Sequence, residues 1–314
     1  MSDARAHLLA GTLGGLTSTV ALYPLELIKT RMQVVEGPVA SAANTTLRGR
    51  LRNPYGSVLG SLRQVLRNEG VRGLYKGVTP AMIASSGSWG GYFYFYELSK
   101  SRKLGQGGGA LTTVDHLSSG VEAGVILVFL FNPLWLIKTR MALQGLESAA
   151  STGSLTAVSP ARKEYTGIFQ AVRTIVREEG FVGLYKGVIP ALFLTSHGAV
   201  QFAVYEWLKT KVNEQGFVGG KQPAWASALI GGASKIIAST VTYPYQVIKS
   251  RIQQREASLG EVRYSGMFDC IVKTWRHEGV FGFLRGVVPN ALKVAPSAAL
   301  TFVVYEETLK VVQP

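Results

Sequence analysis

The chain has 314 residues, 47% of them apolar and only 17% charged, and its 33 Lys and Arg against 19 Asp and Glu give a net charge of +14. A basic nucleic-acid-binding protein carries more charge on a less apolar chain, so this balance favours an integral membrane protein that meets anionic lipid or an anionic solute. The single Cys270 excludes an internal disulfide, and the four scattered His lack ligand spacing, so we expect neither a metal site nor a nucleic-acid partner.

The first residues, Met1 to His7, run directly into an apolar segment. They have neither the pattern of a secretory signal nor that of an Arg-rich transit peptide. We therefore expect any targeting information to be internal.

The first apolar segment contains a stretch with Pro, Lys and Arg at fixed offsets, and this stretch recurs at intervals of about 110 residues. Its copies are Pro24–Arg31, Pro133–Arg140 and Pro244–Arg251. A Glu-Gly motif and then a Tyr-Glu pair follow each copy in the same order; these are Glu69-Gly70, Glu179-Gly180 and Glu278-Gly279, then Tyr96-Glu97, Tyr205-Glu206 and Tyr305-Glu306. The sequence therefore predicts three repeats, at 1–105, 106–215 and 216–314.

Each repeat contains two apolar segments long enough to cross a bilayer as tilted helices. The first crossings are predicted at Leu8–Gln33, Leu117–Leu143 and Trp225–Gln253, and the second crossings at Tyr75–Ser99, Tyr185–Lys209 and Leu284–Leu309. Polar residues interrupt all six, which suits helices with one lipid face and one wet face.

An amphipathic segment separates the two crossings of each repeat. In Tyr165–Val176, and in its counterparts after Tyr55 and Tyr264, apolar residues recur at helical spacing with basic residues opposite. This pattern predicts helices that lie on the membrane surface. The Ser-, Ala- and Gly-rich stretches at 36–53 and 145–163 are predicted to be loops.

The repeated Pro-x-acid-x-x-Lys-x-Arg stretch, followed by Glu-Gly-x-x-Gly-x-Tyr-Lys-Gly, resembles the mitochondrial carrier family over residues 8–310. The resemblance implies an all-α membrane protein: six tilted transmembrane helices in a three-fold pseudosymmetric barrel, with three amphipathic helices on the matrix side. It also implies a monomer in the mitochondrial inner membrane with cardiolipin at the matrix-side helices, the peroxisomal membrane being the alternative.

Two departures from the family pattern indicate the cargo. Trp135 and Gln246 stand where acids usually stand. Pro-Leu-Trp at 133–135 resembles carriers of nucleotide-like cargo, and Tyr-Pro-Tyr-Gln at 243–246, with 195–202 and 233–236, resembles the FAD and folate branch. The resemblance therefore implies a transporter, not an enzyme, that moves FAD or tetrahydrofolate as cargo by alternating access and has no resident cofactor. A carrier of NAD or pyrimidine nucleotides is the alternative.

Pro24, Pro133 and Pro244 are expected to kink their helices and to bring three helix ends together. The alternative is that these prolines only terminate helices. By resemblance, the residues after the prolines form a matrix gate from three contacts: Glu26 with Lys138, Trp135 with Lys249, and Gln246 with Lys29. One is an ion pair, one a cation–π contact and one a charge-assisted hydrogen bond. For Trp135 the alternative is an ordinary aromatic residue of the membrane interface.

The Tyr-Glu motifs are expected to form a second gate on the cytoplasmic side. The resemblance implies ion pairs of Glu97 with Lys209 and of Glu306 with Lys100. Glu206 would meet Leu309, and Lys310 lies one position out of register. We therefore expect two ion pairs to hold this gate.

In the family the cargo contacts lie midway along the even-numbered helices, and counting back from the Tyr-Glu motifs gives Ala84, Phe193 and Lys293. A lysine at the depth expected for Lys293 is costly unless it faces water, so its presence argues for an anionic ligand. The alternatives are a side chain that extends to the membrane interface for Lys293 and helix packing for Phe193.

Further candidates surround these positions. Phe193 and Leu194 could lie against a flat ring system, while His197 and Gln201 could hydrogen-bond its heteroatoms; for His197 helix packing is again the alternative. Lys235 is a second cation and Trp89 an aromatic wall. Cations, aromatic surface and space together suit a dinucleotide or a pteridine.

Overall fold

The computed structural model describes residues 3–35, 57–107, 112–152, 164–214, 224–255 and 264–312. Within these ranges the regular structure is helical and no strand occurs. The α-helices are α1 (Asp3–Ala21), α2 (Tyr23–Val34), α3 (Val58–Gly73), α4 (Val78–Gly107), α5 (Thr113–Thr152), α6 (Ile168–Glu179), α7 (Val188–Phe193), α8 (His197–Glu214), α9 (Ala224–Val241), α10 (Tyr243–Gln253), α11 (Met267–Gly282) and α12 (Val287–Val312). Two 3₁₀ turns, Phe181–Tyr185 and Leu194–Ser196, flank α7.

These helices form six crossings. The first consists of α1 and α2, the second of α4, the third of α5, the fourth of α7 and α8, the fifth of α9 and α10, and the sixth of α12. Each crossing contacts the next one along the chain, and the sixth contacts the first, so the ring is closed. The predicted six-helix barrel is confirmed. Helices α3, α6 and α11 join the two crossings of each repeat and pack on α2, α5 and α10.

Apolar length alone would have identified only part of this ring. Among the described residues three helical stretches are long and apolar enough to span a membrane, namely Val114–Gln144, Phe181–Val212 and Val287–Val311, and Ala226–Val241 is a shorter apolar helix. The first and fifth crossings are each divided into two helices, which shortens their apolar runs. The repeat pattern therefore carries more information than hydropathy.

The three prolines differ in their local structure. Pro24 and Pro244 lie in the first turns of new helices, α2 and α10, where a proline's missing N–H is no loss. Pro133 lies inside the continuous helix α5. Two of the prolines thus begin a helix after a break in their crossing, and the kink expected at Pro133 stays a prediction. Helices α2, α5 and α10 nevertheless contact one another, and we call the side of the barrel where they meet the proline end.

The predicted loops differ in outcome. Helix α5 continues to Thr152, so the loop predicted from residue 145 begins later than expected. Residues 153–163 and the whole predicted loop at 36–53 lie outside the described residues.

Buried arginines explain why the repeated motifs contain Arg and Glu-Gly. Arg31, Arg140 and Arg251 are each about 1% exposed. Each pairs with the glutamate of the surface helix in its own repeat: Arg31 with Glu69, Arg140 with Glu179 at 2.5 Å, and Arg251 with Glu278 at 2.8 Å. Removing one partner of a buried ion pair is costly, because the charge that remains is shielded from water and has no partner.

The same arginines connect the repeats in a cycle. Arg31 Nε donates to the Ala142 carbonyl at 2.9 Å, Arg140 Nε to that of Gln253 at 3.0 Å, and Arg251 Nε to that of Gln33 at 3.0 Å. Repeat 1 is thus bonded to repeat 2, repeat 2 to repeat 3, and repeat 3 to repeat 1. The proline end is closed by one contact type used three times.

The glycine after Tyr-Lys permits a close approach between repeats. Gly77 has φ +86°, a conformation that side chains other than glycine rarely adopt. A Cβ there would lie 2.8 Å from the Lys138 carbonyl oxygen and 2.9 Å from the Tyr23 hydroxyl. The position therefore needs glycine both for its backbone angle and for space.

Candidate functional site

The residues expected to form the matrix gate meet at the proline end. Lys138 Nζ donates to Glu26 Oε1 at 2.7 Å. The Trp135 ring lies between two ammonium groups, with Lys138 Nζ 5.6 Å and Lys249 Nζ 5.7 Å from its centroid. Both distances are within the range of a cation–π contact. Trp135 therefore links its own helix, α5, to α10.

The third expected gate contact has a different partner. Lys29 Nζ lies 6.0 Å from the centroid of the Tyr243 ring, and no hydrogen bond between Lys29 and Gln246 occurs among the described contacts. Tyr243 is held in place because its hydroxyl accepts a hydrogen bond from Gln33 Nε2 at 3.1 Å. The expected Gln246–Lys29 contact is therefore not formed in this conformation.

The Tyr-Glu end, which we define by Glu97, Glu206 and Glu306, has a different arrangement. Lys100 binds Glu97 of its own helix at 2.9 Å, and Lys209 lies 3.7 Å from Glu206 of its own helix. The pairs Glu97–Lys209 and Glu306–Lys100 are not formed in this conformation. A spacing of three residues places acid and base on one helix face, so each lysine has a local partner.

Lys310 also finds a partner within its own helix: its Nζ lies 2.6 Å from Glu307 Oε1. Lys310 thus pairs with Glu307 and not with Glu206 of the fourth crossing. The ion pairs expected across this end are therefore not formed in the conformation described.

Lys293, the main candidate for cargo binding, is already bound to an acid. Its Nζ donates to Glu26 Oε2 at 2.7 Å. Glu26 therefore holds two lysines, with Lys138 on one carboxylate oxygen and Lys293 on the other. The sequence indicated an anionic partner for Lys293 but did not show that the gate carboxylate supplies it.

Several cations surround this carboxylate. Lys29 interacts electrostatically with Glu26, Lys293 and Lys138. Lys249 lies within electrostatic range of Lys138 and Lys29, and Lys235 within range of Lys293. Among these interacting groups of the described residues, Glu26 is the one acid. The group of residues around Glu26 at the proline end therefore has an excess of positive charge.

An aromatic pair lies between the fourth and fifth crossings. Phe193 and Tyr245 are stacked, with ring centroids 5.2 Å apart and an angle of 9° between the planes. Phe193 is 49% exposed, so one of its faces remains accessible. Leu194, the next residue, begins the 3₁₀ turn between α7 and α8 and is partly exposed. The sequence analysis did not identify Tyr245 as a site residue, although it follows Pro244 directly.

The remaining candidate residues differ in their contacts and in their exposure. His197 Nδ1 lies 3.0 Å from Thr242 Oγ1, so this ring joins the fourth crossing to the break in the fifth. Gln201 is partly exposed and Lys235 is exposed. Trp89 is 69% exposed and stacks on Phe93 at 6.3 Å.

The structure contradicts the expectation that Ala84 contacts the cargo. Its exposed fraction is 0%, so it cannot contact cargo in this conformation. The cause is helix packing: Gly87, one turn later on the same face of α4, lies so close to Phe131 of α5 that a Cβ would be 2.5 Å from its ring. That face is used for contact between repeats.

Outside the crossings, the carboxyls of Glu69 and Glu179 are strongly stabilised as anions. Burial alone would raise their pKa values, but the hydrogen bonds and charges of Arg31 with Lys76, and of Arg140 with Lys186, together outweigh that effect and hold the pKa of each carboxyl below its ordinary value. The surface helices are therefore attached to the barrel by charged groups that remain ionised.

Comparison with known families agrees with this geometry. The family model described as mitochondrial carrier protein matches residues 2–106, 109–216 and 220–314. The chain therefore belongs to the mitochondrial carrier family, and its three repeats are the repeats of that family.

Individual relatives are carriers of cofactor-sized molecules. The chain is 38% identical to the folate transporter 1, chloroplastic, of Arabidopsis thaliana, over 97% of this chain and 94% of that protein. It is 36% identical to the nicotinamide adenine dinucleotide transporter 1, chloroplastic, of the same plant, over 95% and 88%. It is 32% identical to the plant's peroxisomal nicotinamide adenine dinucleotide carrier, over 99% and 96%.

Proposed function

We propose that this protein transports a flavin or folate cofactor, FAD or tetrahydrofolate, across the mitochondrial inner membrane by alternating access. Two observations carry the proposal: the lysine cluster around Glu26, and the stacked pair of Phe193 and Tyr245 on the fourth and fifth crossings. The cluster supplies cations for phosphate or carboxylate groups, and the exposed face of Phe193 supplies a surface for a flat ring. A flavin or a pteridine cofactor has both parts.

The folate relative supports the pteridine half of the proposal. Its name states folate, and its likeness extends over nearly the whole of both chains. The second candidate is NAD, since the relatives at 36% and 32% identity are named as carriers of that dinucleotide. NAD also combines flat rings with phosphates, so the cluster alone does not separate the candidates.

The proposed cycle uses the two ends in turn. Cargo enters through the Tyr-Glu end and binds at the lysine cluster, and the contacts of Glu26 and Trp135 at the proline end then open. Glu97 and Glu306 close the other end with Lys209 and Lys100 of neighbouring repeats. A gate with one ion pair and one cation–π contact is weak enough for cargo binding to offset. No covalent step is needed, and the cofactor is cargo and not a resident group.

The proposed setting is that of the family. We infer a monomer with both termini towards the intermembrane space and with cardiolipin at the matrix-side helices α3, α6 and α11. Exchange of one cargo for another is the proposed mode. The peroxisomal membrane is the alternative location, because one relative is named as peroxisomal.

Uptake into liposomes tests the cargo. The purified protein is reconstituted, and uptake of labelled FAD, tetrahydrofolate, NAD and UTP is measured with and without unlabelled cargo inside the vesicles. We expect saturable uptake of FAD or tetrahydrofolate that internal cargo accelerates. Uptake of NAD or UTP alone would overturn the proposed cargo and favour the alternative, a carrier of NAD or of pyrimidine nucleotides.

A further inference from the structure

The carboxylate of Glu26 lies between the gate and the proposed cargo site. Its two oxygens each accept from one lysine at 2.7 Å, Lys138 on one side and Lys293 on the other. The two lysines differ in accessibility: the Lys138 side chain is 7% exposed and that of Lys293 is 32% exposed. An incoming anion can therefore reach Lys293 more readily than Lys138.

We propose that Glu26 is a resident competitor of the cargo. In the empty carrier its carboxylate occupies the Lys293 ammonium, and cargo binds by replacing this carboxylate with an anionic group of its own. The inference rests on the proposed function, in which Lys293 receives the cargo. It assigns Glu26 a part in cargo selection in addition to its contact with Lys138.

The physical argument is a comparison of charges. Removing Lys293 from Glu26 without replacement would leave a partly buried cation unpaired, which is unfavourable. A cargo anion restores a partner to Lys293, but it then lies close to the Glu26 carboxylate and is repelled by it. A second anionic group that reaches Lys235 or Lys29 offsets this repulsion. Removing the charge of Glu26 should therefore strengthen the binding of an anionic cargo, and the gain should be at least as large for a cargo with two anionic groups as for a cargo with one.

Folate and pteroate form a matched pair of probes for this effect. They share the same ring system, but folate carries two carboxylates and pteroate carries one. Dissociation constants for both are measured by calorimetry on the full-length purified protein. In the unaltered protein we expect folate to bind more tightly than pteroate.

Glu26→Gln keeps the size of the side chain and removes its charge. We expect it to bind pteroate about tenfold more tightly than the unaltered protein does, as release of a close charge pair predicts, with an equal or larger gain for folate. The preference for folate should therefore be kept or increase. Glu26→Asp, which keeps the charge but is too short to hold both lysines, should change binding in the same direction by less and serves if the first variant does not fold.

Two control variants separate this effect from loosening of the gate. Trp135→Leu weakens the gate and leaves the contact between Glu26 and Lys293 in place, so it should not tighten pteroate binding. Adding Glu26→Gln to the Lys293→Gln variant should tighten pteroate binding little further, because Lys293→Gln has already removed the ammonium for which Glu26 and the cargo compete. Equal tightening in Trp135→Leu, or unchanged pteroate binding in Glu26→Gln, would overturn the inference.

Failure of the proposed cargo gives a different result. If the unaltered protein binds neither folate nor pteroate but binds NAD, the proposed function is wrong while the competition remains testable. Nicotinamide riboside, which lacks the phosphates and the adenosine of NAD, then replaces pteroate as the probe without anionic groups. Tighter binding of NAD by Glu26→Gln, with no such gain for nicotinamide riboside, would support the competitor role for that cargo, and unchanged binding of NAD would reject it.

Discussion

The two ends of the barrel use their charged residues differently. At the proline end the buried arginines bond to carbonyls of the next repeat in a complete cycle, Arg31 to Ala142, Arg140 to Gln253 and Arg251 to Gln33. The Tyr-Glu end has no such cycle among the described residues.

At the Tyr-Glu end, Glu97 and Glu206 pair with lysines of their own helices. Repeats 1 and 2 are connected there by Glu122 of α5, which pairs with Arg102 and Lys103 of α4 at 2.5 and 3.3 Å, and by a hydrogen bond between Tyr96 and His116 at 2.9 Å. The proline end is thus bonded around the whole ring. At the Tyr-Glu end, Glu97 and Glu206 have partners within their own helices and can exchange them for partners in other repeats. The difference indicates that stability resides at the proline end and that the Tyr-Glu end has residues free to exchange partners.

The largest expected effect lies in the arginine cycle. Arg140→Ala leaves Glu179 without its main partner in a site where that carboxyl is largely shielded, and should lower the free energy of unfolding by about 3–5 kcal/mol. Thermal unfolding of the purified protein in detergent measures the change. A melting temperature equal to that of the unaltered protein would contradict the assignment of stability to this end.

The next effect concerns the centre of the barrel. Lys293→Ala removes the more exposed cation bound to Glu26, and uptake of FAD or tetrahydrofolate into liposomes should fall at least about tenfold, as loss of one charged contact predicts. Lys310→Ala is the control, since it removes a lysine with a local partner at the Tyr-Glu end. Full uptake by the Lys293 variant would exclude this lysine from cargo binding.

A smaller effect is expected at the aromatic gate contact. Trp135→Leu keeps an apolar side chain but removes the ring between Lys138 and Lys249, a loss of about 0.5–2 kcal/mol of cation–π interaction. The conformation closed at the proline end should become less populated, and uptake should change by roughly two- to thirtyfold. An unchanged uptake rate would favour an ordinary interfacial role for this tryptophan.

The smallest effect is expected at the Tyr-Glu end. Lys209→Ala removes an exposed partner of Glu206 and should alter the free energy of unfolding by less than about 1 kcal/mol. Uptake should nevertheless fall if Lys209 pairs with Glu97 when this end closes. A loss of stability comparable with that of Arg140→Ala would show that the two ends do not differ as described.

Repetition made much of the fold predictable. Three copies of each motif in one order predict three similar structural units. The position of Pro, Lys or Arg in one copy therefore predicts the position of the same residue in the other two copies. The gate contact between Glu26 and Lys138 could be named because repeats related by symmetry present equivalent residues to their neighbours. Boundaries were harder to predict, since α5 extends to Thr152 through residues with loop-like composition.

The candidate site was less predictable because it depends on distances between repeats. Counting along each helix gave Phe193 and Lys293 together with Ala84, although Ala84 is covered by packing. Nothing in the local sequence places Tyr245 against Phe193 or Lys293 against Glu26. These contacts join residues far apart in the chain.

The sequence by itself determined the family, the repeat number and the residue types available at each gate, because periodic motifs and composition are local properties. The tertiary structure decided which partner each charge takes: Glu97 binds Lys100 in its own helix, and Glu26 binds lysines from two other repeats. The physical reason is that ion pairing falls steeply with distance, and only the closed ring of helices sets those distances.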